Sequence, residues 1–560
     1  MSEDDRILLD GAAKVAIART RDRLLVLCFG FIVAFGVLIA RVTEVTILRD
    51  DVARAPIAQA DSVSVARVDI TDRNGEILAT DLRGTSLYAD ARVIWDPADA
   101  AQSLGKVISG LDVGAVARKL GARQAFVWIK RGLTAQERDR VHDLGIPGLY
   151  FREEPRRVYP NGRSAAHVLG YVNVDNRGLA GIERGLDDTI ADANRQGRPL
   201  ALSIDLRVQH ALQDELTSAM LTFRAVGASG IVLNVNNGEV LGMASLPDFD
   251  PNEAINPRAP ELFNTATLGV FEMGSTFKTF TTAMALDSGK VTLASRYDAR
   301  KPIQMGRFTI SDFHPENRWL TVPEIFMHSS NIGTAEMAVD VGTDTQKAFL
   351  AKLGLLQPLM TEIREAGLPK SPRQWRELET MTVGYGHGIS VTPMQVAMAS
   401  AAIVNGGKLI RPTLLLRSHS EAVPFTRVIS DETSRQMRDL LRLVVTGGTG
   451  AKADVPGYPV AGKTGTAEKS VNGAYAHTKL LSSFMGVFPA QQPEYLVLII
   501  LDEPQGTKQT YGYATAGWTA APTAGNVIRR IAPMLNVQVT PIEPGAHAPT
   551  TMAAAYEEAH

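Results

Sequence analysis

Hydrophobic and polar positions fall into distinct regimes along the chain. Residues 24–40 read LLVLCFGFIVAFGVLIA, 17 uncharged positions closed by Arg23 and Arg41. No polar stripe interrupts them, so the run predicts a membrane-spanning helix rather than a core helix. At ~1.5 Å per residue it gives roughly 26 Å, which just spans a ~30 Å hydrocarbon core if the flanking arginines snorkel and the helix continues through Val42. Beyond a polar, Ala-rich stretch, Val63 and Val65 alternate with polar neighbours. The phase slips at Ala66-Arg67, and Val68 and Ile70 resume it before Asn74-Gly75, the pattern of a bulged strand entering a hairpin. Residues 86–150 mix short helices and strands, and 152–163 (REEPRRVYPNGR) reads as a charged loop on a solvated surface.

A second domain opens with helical periodicity over 206–223, where Leu206, Val208, Leu212, Leu216 and Met220 form an apolar stripe. From Gly230 the order IVLNV, Asn236-Asn237-Gly238, EVLGMAS predicts a hairpin. A mostly helical middle follows, then two long apolar strands at 483–488 and 495–501 and a last helix over about 517–535. Strands at both ends of a helical middle predict an α+β fold, one antiparallel sheet assembled from distant pieces with helices on both faces. The tail from 537 to 560 is rich in Pro, Ala and Thr and is expected to be disordered.

Charge and cysteine usage narrow the function. The 58 basic and 60 acidic residues leave a formal charge of −2, which argues against a nucleic-acid partner bound through bulk positive charge. The single cysteine, Cys28, lies in the apolar run, so disulfides within the chain, zinc-finger spacing and iron–sulfur ligation are excluded together. No His-x-x-x-His occurs either, and neither a metal nor a cofactor is expected. Arg6, Lys14, Arg19, Arg21 and Arg23 precede the apolar run, whereas charges nearly balance after it. The N-terminus is therefore expected in the cytoplasm and the rest outside, on a single-pass inner-membrane anchor. In the competing reading, a cleaved signal peptide, the one nearby small-x-small site is Ala53-Arg54-Ala55, about a dozen residues past the run.

Candidate chemistry lies in three short motifs. Ser275-Thr276-Phe277-Lys278 opens a run that reads as a buried helix ended by Gly289, which puts Ser275 and Lys278 on one face of its first turn. There Ser275 can be a nucleophile and also an oxyanion donor through its own N–H. Taken alone, a Ser N-cap with a solvated Lys explains the same residues. Ser329-Ser330-Asn331 follows at a distance of 54 residues, and Lys463-Thr464-Gly465-Thr466 at a further 134. In this order the three match the SxxK, SxN and KTG motifs of penicillin-recognising serine acyltransferases.

The resemblance covers most of the chain. Residues 67–79 (RVDITDRNGEILA), 157–172 (RVYPNGRSAAHVLGYV) and 178–184 (GLAGIER) resemble the pedestal motifs of class B penicillin-binding proteins, and 384–392 (GYGHGISVT) with Gln395 resembles their transpeptidase domain. One departure is Val68, where the family's first pedestal motif often has Gly after the Arg. The resemblance implies a cytoplasmic tail (1–23), transmembrane helix (24–43), linker (44–62), β-rich pedestal (63–204), transpeptidase domain (205–536) and tail (537–560). It also implies a peptidoglycan D,D-transpeptidase, most similar to the septal FtsI-type members and inhibited by β-lactams. Stem peptides of lipid II-derived strands, a SEDS-family (FtsW-type) glycosyltransferase and divisome membrane proteins are the implied partners. An elongation-type transpeptidase and a non-catalytic divisome scaffold are the alternatives. A β-lactamase is disfavoured because ~200 residues expected to be exported precede the motifs and no Glu sits in a deacylating motif.

Each residue type has a task. A serine hydroxyl is scarcely ionised at neutral pH, so Ser275 needs a base. Lys278 serves only when neutral, and moving a lysine from ~10.4 to near 7 requires ~4–5 kcal/mol of differential stabilisation. Burial and a second cation, Lys463, can supply it. Ser329 can relay a proton to the leaving amine, and Asn331 can orient Lys278 and the substrate backbone. Thr464 and Thr466 suit the donor's terminal carboxylate, and Gly465 lets the donor lie along the strand. By resemblance, the Thr466 N–H joins that of Ser275 in the oxyanion hole. GYGHG is expected to be a tight turn rather than a phosphate loop, and residues 468–479 a flexible loop beside the cleft.

Overall fold

The computed structural model describes residue 21, residues 25–39 and residues 66–541 apart from 197, 254, 257, 307, 419, 421, 472 and 473. The chain divides into two compact units, Met1–Val63 and Ser64–His560. In the first, residues 25–39 form a helix whose large apolar side chains are 48–72% exposed. Its length is about 22 Å. Among the described residues no helix is both long and apolar enough to cross a membrane. Leu24 and residues 40–43 of the predicted span lie outside the described residues, as do the linker, Val63 and Val65.

In the second unit, the strands β1 (Ile70–Thr71), β2 (Ile77–Ala89), β3 (Val127–Leu133), β4 (Leu149–Val158) and β5 (Leu200–Ala201) build the pedestal sheet. β2 pairs antiparallel with β1, β3 and β4, and β5 runs parallel to β1. The predicted strand before the Asn74-Gly75 turn shrinks to β1. Upstream, side chains replace the ladder: Arg67 N donates to Asp81 Oδ2 at 2.7 Å, and Val68 O accepts from Arg157 Nη1 at 2.9 Å. The expected loop at 152–163 is corrected more fully, because its first seven residues belong to β4, paired with β2 from Leu149 opposite Ala89 to Val158 opposite Thr80. Pro155 is compatible with this because β4 is an edge strand. The pedestal is also less β-rich than expected: helices Pro97–Val107, Val113–Gly121 and Ala135–Asp143 cover one face of its sheet.

The three pedestal motifs meet at one buried carboxylate. Glu183 accepts from Arg67 Nε at 2.8 Å and from Arg157 Nε at 2.7 Å, and none of the three side chains is more than 4% exposed. Arg157 is thus structural rather than solvated. Val68 adopts a conformation open to any residue and buries its side chain in the core, so the missing glycine disturbs nothing there.

The larger sheet has β6 (Gly227–Asn234), β7 (Val240–Leu246), β8 (Ala461–Val471), β9 (Ala474–Phe488) and β10 (Tyr495–Asp502) in the order β8-β9-β10-β6-β7, all antiparallel. Val497, Ile499 and Leu501 of β10 pack under helices α1 (Leu206–Thr222) and α7 (Ala520–Met534). Leu496, Leu498 and Ile500 face the opposite core. That core holds α2 (Lys278–Asp287), α3 (Val322–His328), α4 (Asn331–Val341), α5 (Pro393–Val404) and α6 (Asp431–Gly447). Burial on both faces is why these strands read as unbroken apolar runs. The same core takes in Ile70, Leu78, Val168 and Ile182 of the pedestal base.

Two further expectations are corrected. Residues 468–471 and 474–479 extend the β8–β9 hairpin instead of looping, and Lys469 is held there by Asp502 at 2.8 Å and Glu503 at 2.9 Å. Ordered chain also runs past 536: Val537 is buried and Thr540 N donates to Gly457 O at 2.8 Å, while the tail from 542 lies outside the described residues.

Candidate active site

A 3₁₀ turn, Gly274–Phe277, leads into α2 and carries Ser275. Side chains three apart eclipse in such a turn, which keeps Ser275 and Lys278 on one side. Gly274 has φ +50°, and a Cβ there would stand 2.5 Å from Thr466 O, so only glycine lets this turn abut β8. GYGHG is a tight turn: Gly386 has φ +90°, and a Cβ on it would come within 2.1 Å of Gly274 O. Phe277 and Phe280, edge to face at 5.2 Å, fix the turn from below.

Lys278 and Lys463 are both fully buried, and both reach Ser329. Lys278 Nζ donates to the Ser329 carbonyl and, at 3.1 Å, to Ser329 Oγ. Lys463 Nζ donates to the same Oγ at 3.0 Å and to Thr464 O at 3.3 Å, and lies 5.9 Å from the centre of the Phe326 ring. Ser329 ends α3 in the left-handed region at φ +60°, and Ser330 caps α4 by accepting from Gly333 N. A serine rarely holds that conformation, and here it aims both the carbonyl and the hydroxyl at lysines. Burial, then the Lys463 charge, drive the Lys278 amine well below the ordinary lysine range, with Asp312 opposing. Burial pulls Lys463 down to about 7.

The third motif lies on β8, the edge strand, with Lys463, Thr464, Gly465 and Thr466 opposite Met485, Phe484, Ser483 and Ser482 of β9. Thr464 Oγ1 is 2.6 Å from Thr449 Oγ1, and Thr466 Oγ1 accepts from Ala516 N at 3.1 Å. Gly465 lies where β8 meets the Ser275 turn. A Cβ on it would stand 2.3–2.5 Å from Thr276 Oγ1, Met273 O and Ser483 Oγ, so its bareness serves the contact of β8 with the Ser275 turn. Asn331 Nδ2 donates to Ser311 O at 2.9 Å, and Ser329 holds Lys278.

Sequence reading missed Thr449 and Asp312. The first sits in a glycine-rich stretch, TGGTG, which signals a turn and nothing more. Asp312 accepts from Ser330 Oγ at 2.7 Å and Ile332 N at 3.0 Å, and no motif marks it. Among the described residues, no group of three His, Cys, Asp or Glu could hold a metal ion.

A family model of the penicillin binding protein transpeptidase domain matches residues 228–528, and one of the penicillin-binding protein dimerisation domain matches 62–194. The chain belongs to the penicillin-binding protein transpeptidases. Among curated members of the family, the probable peptidoglycan D,D-transpeptidase FtsI of Caulobacter vibrioides is 44% identical over 491 residues, 86% of this chain and 83% of that one. The peptidoglycan D,D-transpeptidase FtsI of Escherichia coli K12 is 29% identical, covering 92% of each chain. Among solved family structures, penicillin binding protein 3 of Mycobacterium tuberculosis complexed with aztreonam superposes with a TM-score of 0.67 at 26% identity, over 85% of this chain and 98% of that one. The α+β fold, dimerisation domain and antiparallel sheet expected of the family are all present.

Proposed function

We infer that this penicillin-binding protein is a serine-type peptidoglycan D,D-transpeptidase that joins stem peptides through an acyl-serine intermediate and is a target of β-lactams. The observation that carries the reading is the Ser329 hydroxyl, 3.1 and 3.0 Å from two buried lysine amines beside the Ser275 turn. Neutral Lys278 takes the Ser275 proton as Oγ bonds to the penultimate D-Ala carbonyl carbon. The N–H groups of Ser275 and Thr466 stabilise the oxyanion. As the C–N bond breaks, the proton passes from Lys278 through Ser329 to the departing D-Ala amine. The acceptor amine then attacks the ester, returns a proton by the same route and frees Ser275. A hydroxyl oxygen has two lone pairs and one proton, so Ser329 can accept from both lysines and still donate into the cleft. Lys463 supplies the cation, Thr464 and Thr466 take the donor carboxylate, and Asn331 holds the substrate backbone.

The pedestal (63–204) and transpeptidase domain (205–536) stand outside the cytoplasmic membrane on an uncleaved helix at 24–43, with the N-terminus in the cytoplasm. The apolar side chains exposed all round residues 25–39 support this. The role is septal, beside an FtsW-type SEDS glycosyltransferase and other divisome membrane proteins, as the similarity to the two FtsI proteins supports. The test is turnover of a donor pentapeptide ending in D-Ala-D-Ala with an amine acceptor. D-Ala release coupled to the cross-linked product, lost in Ser275→Ala, is expected. Release unchanged by Ser275→Ala would overturn the reading, and penicillin hydrolysed within seconds would favour a β-lactamase.

A further inference from the structure

Glu272 lies three residues ahead of Ser275 and takes no part in the chemistry above. Its Oε1 accepts from Gly388 N at 3.0 Å, and its carboxylate accepts from the Tyr475 hydroxyl at 3.3 and 3.1 Å. The His387 ring lies flat on Tyr475 at 5.5 Å and edge-on to Tyr385 at 5.2 Å. Both donors to Glu272 are neutral. Burial raises its pKa against their pull, and burial above all lowers that of His387.

Three elements remote in sequence meet at this carboxylate: the nucleophile segment, the GYGHG turn and the start of β9. The hairpin needs such a tether. Its register breaks between Glu468 and Lys469, so the outer pairs, including Ser470 with Tyr475, are offset from the inner ones that carry Thr464 and Thr466. Lys469 fastens the outer part to Asp502 and Glu503, and Tyr475 fastens it to Glu272.

We propose that Glu272 is a positioning residue that fastens the outer β8–β9 hairpin and the GYGHG turn to the nucleophile turn, so that β8 stands ready to receive the donor carboxylate. This rests on the transpeptidase reading of the same cleft. It acts on the binding of donor or β-lactam, not on the proton transfers.

The test uses the full-length chain and a fluorescent penicillin, with the reversible binding constant and the acylation rate constant separated by stopped flow. Tyr475→Phe keeps the ring against His387 and removes the hydroxyl, and Glu272→Gln removes the charge. Each is expected to weaken reversible binding about tenfold, the scale of one hydrogen bond to a charged group, with the acylation constant within about twofold. The double variant should be no weaker than the worse single one. A merely structural defect would lower the fraction of protein acylated without moving either constant. Amide exchange in peptides from 475–488 should quicken in both variants. Unchanged binding, or a double variant equal to the product of the singles, would overturn the proposal. If the wild-type chain is not acylated at all, the transpeptidase reading fails separately, and unchanged amide exchange then overturns the tether.

Discussion

Two ammonium groups sharing one serine hydroxyl in a dry site cannot both stay charged near neutral pH. Burial and then the Lys463 charge depress Lys278, and burial depresses Lys463. The sign follows: a lysine whose folded pKa is lowered binds fewer protons in the native state than in the unfolded chain. Stability should therefore rise as pH climbs from about 7, the value to which Lys463 is pulled, towards the ordinary lysine range, and acylation should rise as Lys278 loses its proton below that range. The pH–rate profile for penicillin acylation is expected to show one limb near neutrality, displaced to higher pH in Lys463→Met, whose side chain keeps the burial and drops the charge. A rate flat from about pH 6 to 9 would contradict this, as would full activity in Lys278→Ala. Gly465→Ala is expected to lower acylation by about a hundredfold or more, because its methyl must push β8 away from Met273 and Thr276. The same kinetics, with unfolding as a control, check it. Ser275, Lys278 and Lys463 could be proposed from the sequence because they stand in recurring short motifs, and the structure brings both lysines to Ser329. Thr449, Asp312 and Glu272 each act through one or two hydrogen bonds across the fold, and no local spacing records that.

Element by element, legibility followed burial. The runs 495–501 and 206–223 could be read because apolar periodicity reports which faces are covered, and β10 and α1 match them within a residue. Charged segments misled. Residues 152–158 looked like a loop since their charges pair inside the pedestal, and 468–479 did because Lys469 is neutralised by carboxylates on β10 and just after it. The Glu183 cluster gives the sharpest prediction at this scale. Glu183→Ala leaves Arg67 and Arg157 buried without their shared partner and is expected to destabilise the chain by about 3–5 kcal/mol. Urea denaturation checks it, and a loss below about 1 kcal/mol would contradict the structural role assigned to the three motifs.

At the scale of the whole molecule, the pedestal base and the transpeptidase core share one apolar interior, while the outer pedestal, around Leu87, Leu104 and Val127, has its own. A chain built this way can pass a displacement of the pedestal base to the face of the sheet that carries the active-site helices. The anchor proposed at 24–43 is expected to do more than tether. Exchanging residues 24–40 for an unrelated apolar helix of equal length should leave penicillin acylation intact but impair cell division and recruitment of membrane partners. Normal division and recruitment would show that the anchor has no specific part.

The most direct test of the whole account is intact-mass analysis of the full-length protein after exposure to penicillin. A β-lactam presents its carbonyl where the scissile D-Ala-D-Ala bond would lie and its carboxylate to Thr464 and Thr466, so Ser275 should open the ring and keep the acyl group. The predicted result is a single, long-lived adduct that maps to the peptide containing Ser275 and is absent in Ser275→Ala. No adduct on folded wild-type protein, or an adduct on another residue, would contradict it.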